Sequence, residues 1–205
     1  MRRNPSTVVV LAGRPAEGLL RAVDRSMNVS LVRPDESADG IEAAAGALRR
    51  AAGISSPYVL VAADPLAAVA EQWRAMWEVT REPRGSEEFE LRAAQVLTAW
   101  RANQFELPDY YVVLAEEAPA ATPAAGTEPH PDFYLGPLRS VRPHRVAVVP
   151  ATTPAEQAAG LLSALGSLRH GRWWPPLAEV IDSARGFYPG SLATIPNGTP
   201  HPLLR

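Results

Sequence analysis

Five runs of β-branched and other apolar residues recur along this chain and constrain its fold more than any other feature. Successive positions in each run are apolar, which is typical of a strand buried on both faces and not of an alternating, half-exposed strand. A segment with helical periodicity follows nearly every run. The runs are TVVVLAG (7–13), NVSLVRP (28–34), PYVLVAADP (57–65), DYYVVLAEE (109–117) and HRVAVVP (144–150).

Helix signals separate these runs. Proline favours the start of a helix, because a backbone N–H at that position has no partner within the helix. A side-chain oxygen just before the first turn caps the helix by accepting a hydrogen bond from a backbone amide. Apolar residues three and four apart then mark the buried face. The expected helices are 15–25, 40–52, a helix from Pro65 capped by Asp64, one starting at Ser86, one from Thr153 to Arg169, and 177–187.

Strands that alternate with helices predict right-handed crossovers and a three-layer α/β sandwich with a mostly parallel, Rossmann-like sheet of four to five strands. Two consecutive helices after the third run break the alternation. They predict a helical hairpin inserted between the third and fourth strands, either covering one sheet face or projecting from it. We expect one domain over 1–193, with a Pro/Ala-rich loop at 118–131 and an extended tail at 194–205.

Composition removes several chemistries. The chain of 205 residues has no cysteine, so thiol nucleophiles, disulfides and thiolate metal sites are excluded. All 20 basic residues are arginine, a bias typical of a GC-rich bacterial genome, and the absence of lysine excludes a Schiff-base lysine. The formal charge of -2 argues against coating nucleic acid or an anionic membrane by bulk charge.

Targeting signals are weak. The apolar run 8–12 after a basic start is too short for the apolar region of an export signal, and no run of 18 apolar residues predicts a membrane span. We therefore expect a cytoplasmic protein. The four histidines show no metal-ligand spacing, so the sequence predicts no zinc site and no bound cofactor.

Polar residues follow several of the predicted strands, and the carboxyl ends of parallel strands meet at one edge of a sheet. Carboxylates and an arginine there are suited to Mg²⁺ and a phosphorylated ligand. The alternative is that solvated loops are polar in any such fold and that Asp64 only caps a helix. The candidate ligand residues are Gly13, Arg14, Asp35, Asp64 and Glu116, and the candidate catalytic residues are Asp64, Glu116 and His130.

The segment GRPAEG (13–18) has the glycine spacing of a phosphate-binding loop between a strand and a helix. Leu19 and Leu20 stand where such a loop needs lysine and a hydroxyl residue, and Pro15 removes a backbone donor. The segment is therefore not expected to support ordinary nucleotide hydrolysis.

Arginine and tryptophan concentrate near the end of the chain, where 133–175 carries five arginines and two histidines. Such residues dominate protein interfaces, and they also neutralise phosphates and stack on bases. The alternative is that both tryptophans pack a sharp turn onto the core while Arg169 and His170 favour a helix dipole. The candidate interface residues are Arg142, Arg145, Arg169, His170, Arg172, Trp173 and Trp174.

Two hypotheses remain. In the first, the protein binds another macromolecule, with an unidentified protein partner favoured over nucleic acid, through the helical hairpin, the arginine and tryptophan segment, or both. In the second, it is a small-molecule or nucleotide-binding enzyme whose site of carboxylates and an arginine would bind Mg²⁺. We favour the first, because the sequence shows no catalytic constellation.

Overall fold

The computed structural model describes residues 6–13, 15, 17–35, 37–79, 86–116, 131–151, 153–168 and 171–187, with the backbone alone at 78–79, 115–116, 131 and 151. Five strands form within these ranges. They are β1 (Thr7–Ala12), β2 (Val29–Val32), β3 (Tyr58–Val61), β4 (Tyr110–Glu116) and β5 (Val146–Ala151).

The five strands form one parallel sheet in the order β2-β3-β1-β4-β5. The central register aligns Val61, Val10 and Tyr111 across β3, β1 and β4. This arrangement confirms the predicted three-layer, Rossmann-like α/β architecture. Compared with the order 3-2-1-4-5 of a doubly wound dinucleotide-binding sheet, β2 and β3 have exchanged places.

Helices cover both faces of the sheet. They are α1 (Glu17–Asp24), α2 (Gly40–Ala52), α3 (Ala67–Val79), α4 (Glu87–Arg101), α5 (Pro131–Phe133), α6 (Arg139–Val141), α7 (Pro154–Gly166) and α8 (Leu177–Gly186). Helices α1 and α7 bury one face of the sheet, which we call the α1 face. Helices α2, α3, α4 and α8 bury the opposite face, which we call the α3 face. No helix within the described ranges combines the length and apolarity needed to span a membrane.

The handedness of crossovers explains this division. Only the connection from β1 to β2 moves towards the β2 edge, whereas those from β2 to β3, β3 to β4 and β4 to β5 move the other way. Right-handed crossovers place connections of opposite direction on opposite faces. Helix α7 follows β5 back along the α1 face, so the chain has to cross an edge of the sheet before α8.

The two consecutive helices α3 and α4 pack against each other, and α4 also contacts α8. Trp73 of α3 and Phe89 of α4 are both almost completely buried in the core of the α3 face. Ser86 caps α4 by accepting a hydrogen bond from the amide of Phe89. Helix α3 begins two residues later than predicted, because Pro65 and Leu66 form a turn.

The predicted loop at 118–131 lies, except for Pro131, outside the described residues, and the segment that follows it is helical although no helix was expected there. A π-helix (Tyr134–Leu138) joins α5 to α6, and a 3₁₀ turn (Pro143–Arg145) precedes β5. Gly136 and Pro137 in this segment suggest a loop by local preference. Burial of Phe133, Tyr134 and Leu138 in the core of the α3 face supplies the stabilising contacts that local preference lacks.

Close packing between α7 and β5 gives a test of the fold. A Cβ atom added at Gly160 would lie 2.9 Å from Cγ1 of the buried Val149. At Gly46 of α2, the nearest atom is Arg50 Nη1, 3.6 Å away, which is an ordinary van der Waals contact. We expect Gly160→Ala to lower the free energy of unfolding by about 1–2 kcal/mol through overpacking.

Gly46→Ala is the matched control and should raise the free energy of unfolding by about 0.5–1 kcal/mol through helix propensity. Urea denaturation followed by circular dichroism measures both changes. Equal effects of the two substitutions would contradict the packing of α7 on β5.

Candidate functional site

The carboxyl edge of the sheet contains the predicted ligand residues that the structure describes. Because β1 connects to the α1 face while β3 and β4 connect to the α3 face, a switch point lies beside β1 at this edge. Gly13 follows β1, and Asp64 lies three residues after β3. Glu116 ends β4 with only its backbone described, whereas Arg14 and His130 lie outside the described residues.

Gly13 turns the chain out of β1 with a φ of +106°, a conformation that disfavours any side chain. The first turn of α1 then presents Glu17, whose carboxylate accepts two hydrogen bonds from Arg33, at 2.9 and 3.0 Å. The bonds from Arg33 lower the pKa of Glu17. A carboxylate on the turn where a phosphate would bind repels a second anion, so the described residues do not favour a phosphate-binding loop here.

Asp35 lies after the edge strand β2, about two strand spacings or roughly 10 Å from the line of β1. Its Oδ1 accepts hydrogen bonds from the amide and hydroxyl of Ser37 at 2.9 and 2.7 Å. Both hydrogen bonds lower the pKa of the exposed Asp35 carboxyl, and the bond from the hydroxyl has the larger effect. This carboxylate therefore stabilises a local turn.

Asp64 is the half-buried centre of a polar cluster on the α3 face. Its Oδ1 accepts a hydrogen bond from the Leu66 amide at 2.9 Å and one from the Tyr111 hydroxyl at 3.3 Å. Its Oδ2 accepts a short hydrogen bond from the Tyr134 hydroxyl. Both tyrosines are completely buried, and their ring centroids lie 5.7 Å apart. We call Asp64, Tyr111 and Tyr134 the Asp64 cluster.

Burial dominates the electrostatics of this cluster. It raises the pKa of Asp64 to about 6, against the opposing effect of the hydrogen bonds from Tyr134, Leu66 and Tyr111. Burial and the adjacent Asp64 charge raise the pKa values of Tyr111 and Tyr134 well above 10. The tyrosines therefore stay neutral donors while the carboxyl titrates near neutral pH.

This geometry gives Asp64 a structural role. Its carboxylate bonds to the turn that precedes α3, which begins two residues too late for Asp64 to be the predicted cap. It also holds the π-helix through Tyr134 against β4 through Tyr111. Among the described side chains, no three carboxylates or imidazoles converge to hold a metal ion. Sequence reasoning missed Tyr111 and Tyr134, although a tyrosine in an apolar run needs a hydrogen-bond partner once buried.

A second cluster lies at the opposite, amino edge of the sheet, where the chain crosses from α7 to α8. We call residues 171–176 the corner. The guanidinium of Arg145, which precedes β5, is buried and donates to the carbonyls of Gly171, Arg172 and Asp109 at 2.9, 3.2 and 3.0 Å. Its Cζ lies 4.9 Å from the ring centroids of both Tyr110 and Trp173.

Arg142 completes this set of bonds to the corner. Its Nε donates to the Trp173 carbonyl at 2.6 Å, and its Nη1 donates to the Val141 carbonyl at 2.8 Å. Guanidinium groups suit this task because they carry several donors in a fixed plane. Three successive carbonyls of the corner are thus held by two arginines.

The two adjacent tryptophans have different environments. Trp174 is buried, donates its indole N–H to the Pro108 carbonyl at 2.8 Å and packs edge-on against Tyr111. Trp173 points outward over Arg145 and is 48% exposed. Arg172 is also exposed.

The predicted interface residues therefore divide into two groups. Arg142, Arg145 and Trp174 hold the corner in place, whereas Arg172 and Trp173 face solvent. Arg169 and His170 lie outside the described residues. Sequence reasoning identified the segment but not that its arginines bind backbone carbonyls, because nothing in the sequence pairs Arg142 or Arg145 with residues 26 to 31 positions later.

Comparisons with protein-family models, with curated proteins and with solved structures found no match for this chain.

Titration of the Asp64 cluster predicts an effect of pH on stability. The folded carboxyl keeps its proton up to about pH 6, compared with an ordinary pKa of 3.8. Between these values the folded state binds more protons than the unfolded state, so the free energy of unfolding falls as pH rises. Relative to Asp64→Asn, the native protein should lose roughly 2–3 kcal/mol between pH 4 and pH 7.

Urea denaturation of both proteins at several pH values measures this difference. The control is Asp35→Asn, because the pKa of Asp35 is lowered and its contribution to stability should be lost as pH falls. A flat difference between the native protein and Asp64→Asn would show that the pKa of Asp64 is not raised in the folded state.

Removal of the Arg145 guanidinium gives a second prediction. Arg145→Met leaves three carbonyls without their donor and should lower the free energy of unfolding by about 2–4 kcal/mol. Arg172→Met alters an exposed side chain in the same corner and should change it by less than about 0.5 kcal/mol. Similar small losses for both variants, measured by urea denaturation, would rule out the role assigned to Arg145.

Proposed function

We propose that this protein acts by binding another protein, and that the exposed part of the corner, Arg172 and Trp173, is its contact surface. The observation that carries this proposal is a half-exposed tryptophan on a backbone held by two arginines. Trp173 leaves 48% of its surface in solvent although its own carbonyl and the two preceding ones are hydrogen-bonded.

Rigid aromatic anchors are effective in protein association. Tryptophan and arginine are enriched among residues that contribute most to binding energy. An anchor that is already fixed loses little conformational entropy on binding, so more of its contact energy appears as affinity. Trp173 fits this description, because one guanidinium supports its ring and another supports its carbonyl.

The competing proposal is a small-molecule enzyme at the carboxyl edge. There, Asp64 makes three hydrogen bonds inside the protein, and Asp35 and Glu17 are bonded to Ser37 and Arg33. Carboxylates engaged in this way are less suited to bind a substrate. The geometry therefore supports the corner better than the carboxyl edge.

Affinity purification from the native cells tests the proposal with the full tagged chain. We expect a partner that the native protein captures and that Trp173→Ala loses. For the isolated pair, the dissociation constant should rise by about 30-fold or more, which corresponds to a hot-spot loss of about 2 kcal/mol.

The matched control is Leu91→Ala, which removes another exposed apolar side chain (51% exposed) on α4. It should retain the partner, and circular dichroism should show that both variants fold. Retention of every partner by Trp173→Ala would overturn the proposal. Loss from Leu91→Ala alone would move the binding site to the pair of helices α3 and α4.

A further inference from the structure

The corner carries an excess of positive charge at the point where Trp173 is exposed. Arg142 and Arg145 bind its carbonyls, and Arg172 extends from it into solvent. His144 is exposed and packs directly on it, since a Cβ added at Gly171 would lie 2.8 Å from the His144 Cδ2. Three guanidinium groups and an imidazole thus lie at the corner, one of them directly over the Trp173 ring.

Asp109 is an acid at the same edge of the sheet, and its carboxylate bonds to β1. Asp109 gives its carbonyl to Arg145, while its carboxylate Oδ2 accepts a hydrogen bond from the amide of Val8 in β1 at 2.8 Å. Arg145 donates to backbone carbonyls and to no carboxylate among the described residues. Carbonyl dipoles satisfy its donors without neutralising its charge, so Arg145 places a positive charge 4.9 Å from the centroid of the exposed ring.

We infer that the partner bound at the corner is an acidic segment of a protein, with an apolar side chain that packs on Trp173 between carboxylates that pair with Arg172. This inference rests on the proposed function and adds the chemical class of the partner. Complementary charge speeds association and rejects basic partners, while the tryptophan supplies buried apolar area.

A nucleic acid strand also carries negative charge, but the described surface fits it less well. Binding of single strands uses a basic groove with several aromatic platforms on which successive bases stack. Among the described residues, the exposed large apolar side chains are Met27, Leu91, Val148, Leu162 and Trp173. One exposed tryptophan offers one anchor point, which suits a single side chain of a peptide.

Fluorescence anisotropy with labelled peptides and the full-length protein tests this inference. The probes are a seven-residue peptide of six glutamates around a central leucine, its counterpart with a central glycine, its counterpart with six arginines, and a twelve-residue thymidine oligonucleotide. We expect the glutamate and leucine peptide to bind tightest. Its dissociation constant should rise about 3- to 10-fold between 50 and 300 mM salt, because screening weakens exposed charge pairs.

Variants separate charge from packing. Arg172→Glu should weaken binding of the acidic peptide by about tenfold or more, since it converts attraction into repulsion. The control Arg92→Glu makes the same change on α4, where the arginine donates to Gln95, and should leave the dissociation constant within about twofold. Trp173→Ala should weaken binding of the leucine peptide and leave the dissociation constant of the glycine peptide nearly unchanged.

Four outcomes would overturn the inference: no binding of the acidic peptide at millimolar concentration, equal binding by Arg172→Glu, tighter binding of the arginine peptide, or tighter binding of the oligonucleotide. The proposed function is judged separately, by whether Trp173→Ala loses a captured protein. A captured partner whose contacting segment is neutral or basic would therefore refute the acidic class and leave the protein-binding function in place.

Discussion

A parallel sheet buried on both faces needs helices on both faces, and this requirement determines where the chain has to cross the sheet. Helix α7 returns along the α1 face after β5, yet α8 packs on the α3 face. The corner is that crossing, made at the amino edge below β4 and β5. An irregular backbone at such a crossing leaves carbonyls without partners, which is costly unless side chains supply donors.

The composition of the corner follows from this requirement. Arg142 and Arg145 supply the donors, and Trp174 fixes the inner side of the crossing through its bond to the Pro108 carbonyl. Pro175 and Pro176 have no N–H that would need a partner. Burial of Trp174 on one side leaves Trp173 on the other, so an exposed tryptophan is a consequence of the crossing as well as a candidate anchor.

A structural feature could be predicted from the sequence when the residues that determine it lie close together in the chain. Consecutive apolar positions identified all five strands, and Ser86 and Thr153 identified helix starts, because these signals act within a few residues. The π-helix was not predicted, since Gly136 and Pro137 disfavour a helix locally and only burial of Tyr134 and its neighbours compensates.

The candidate site was predicted only as a segment. The sequence indicated an arginine and tryptophan surface and left a packing role open. Among the described residues, the structure shows that Arg142, Arg145 and Trp174 pack and that Arg172 and Trp173 face solvent. Arg145 and Trp174 have long-range partners in 171–172 and 108–109, which no local pattern reveals. Arg172 and Trp173 face solvent because the residues around them already satisfy the backbone.

Aromatic contacts connect the two edges of the sheet. Trp174 packs on Tyr111, Tyr111 packs on Tyr134, and both tyrosines bond to Asp64 near the carboxyl edge. A titrating carboxyl and the buried Trp174 therefore lie at opposite ends of one packed series of side chains. The tyrosines remain neutral donors whichever state Asp64 adopts, so protonation changes the strength of their hydrogen bonds without removing the donors. The free-energy cost of burying the Asp64 charge therefore affects only the stability of the fold. The corner is supported separately by Arg142 and Arg145, which bond to backbone carbonyls and not to that carboxyl.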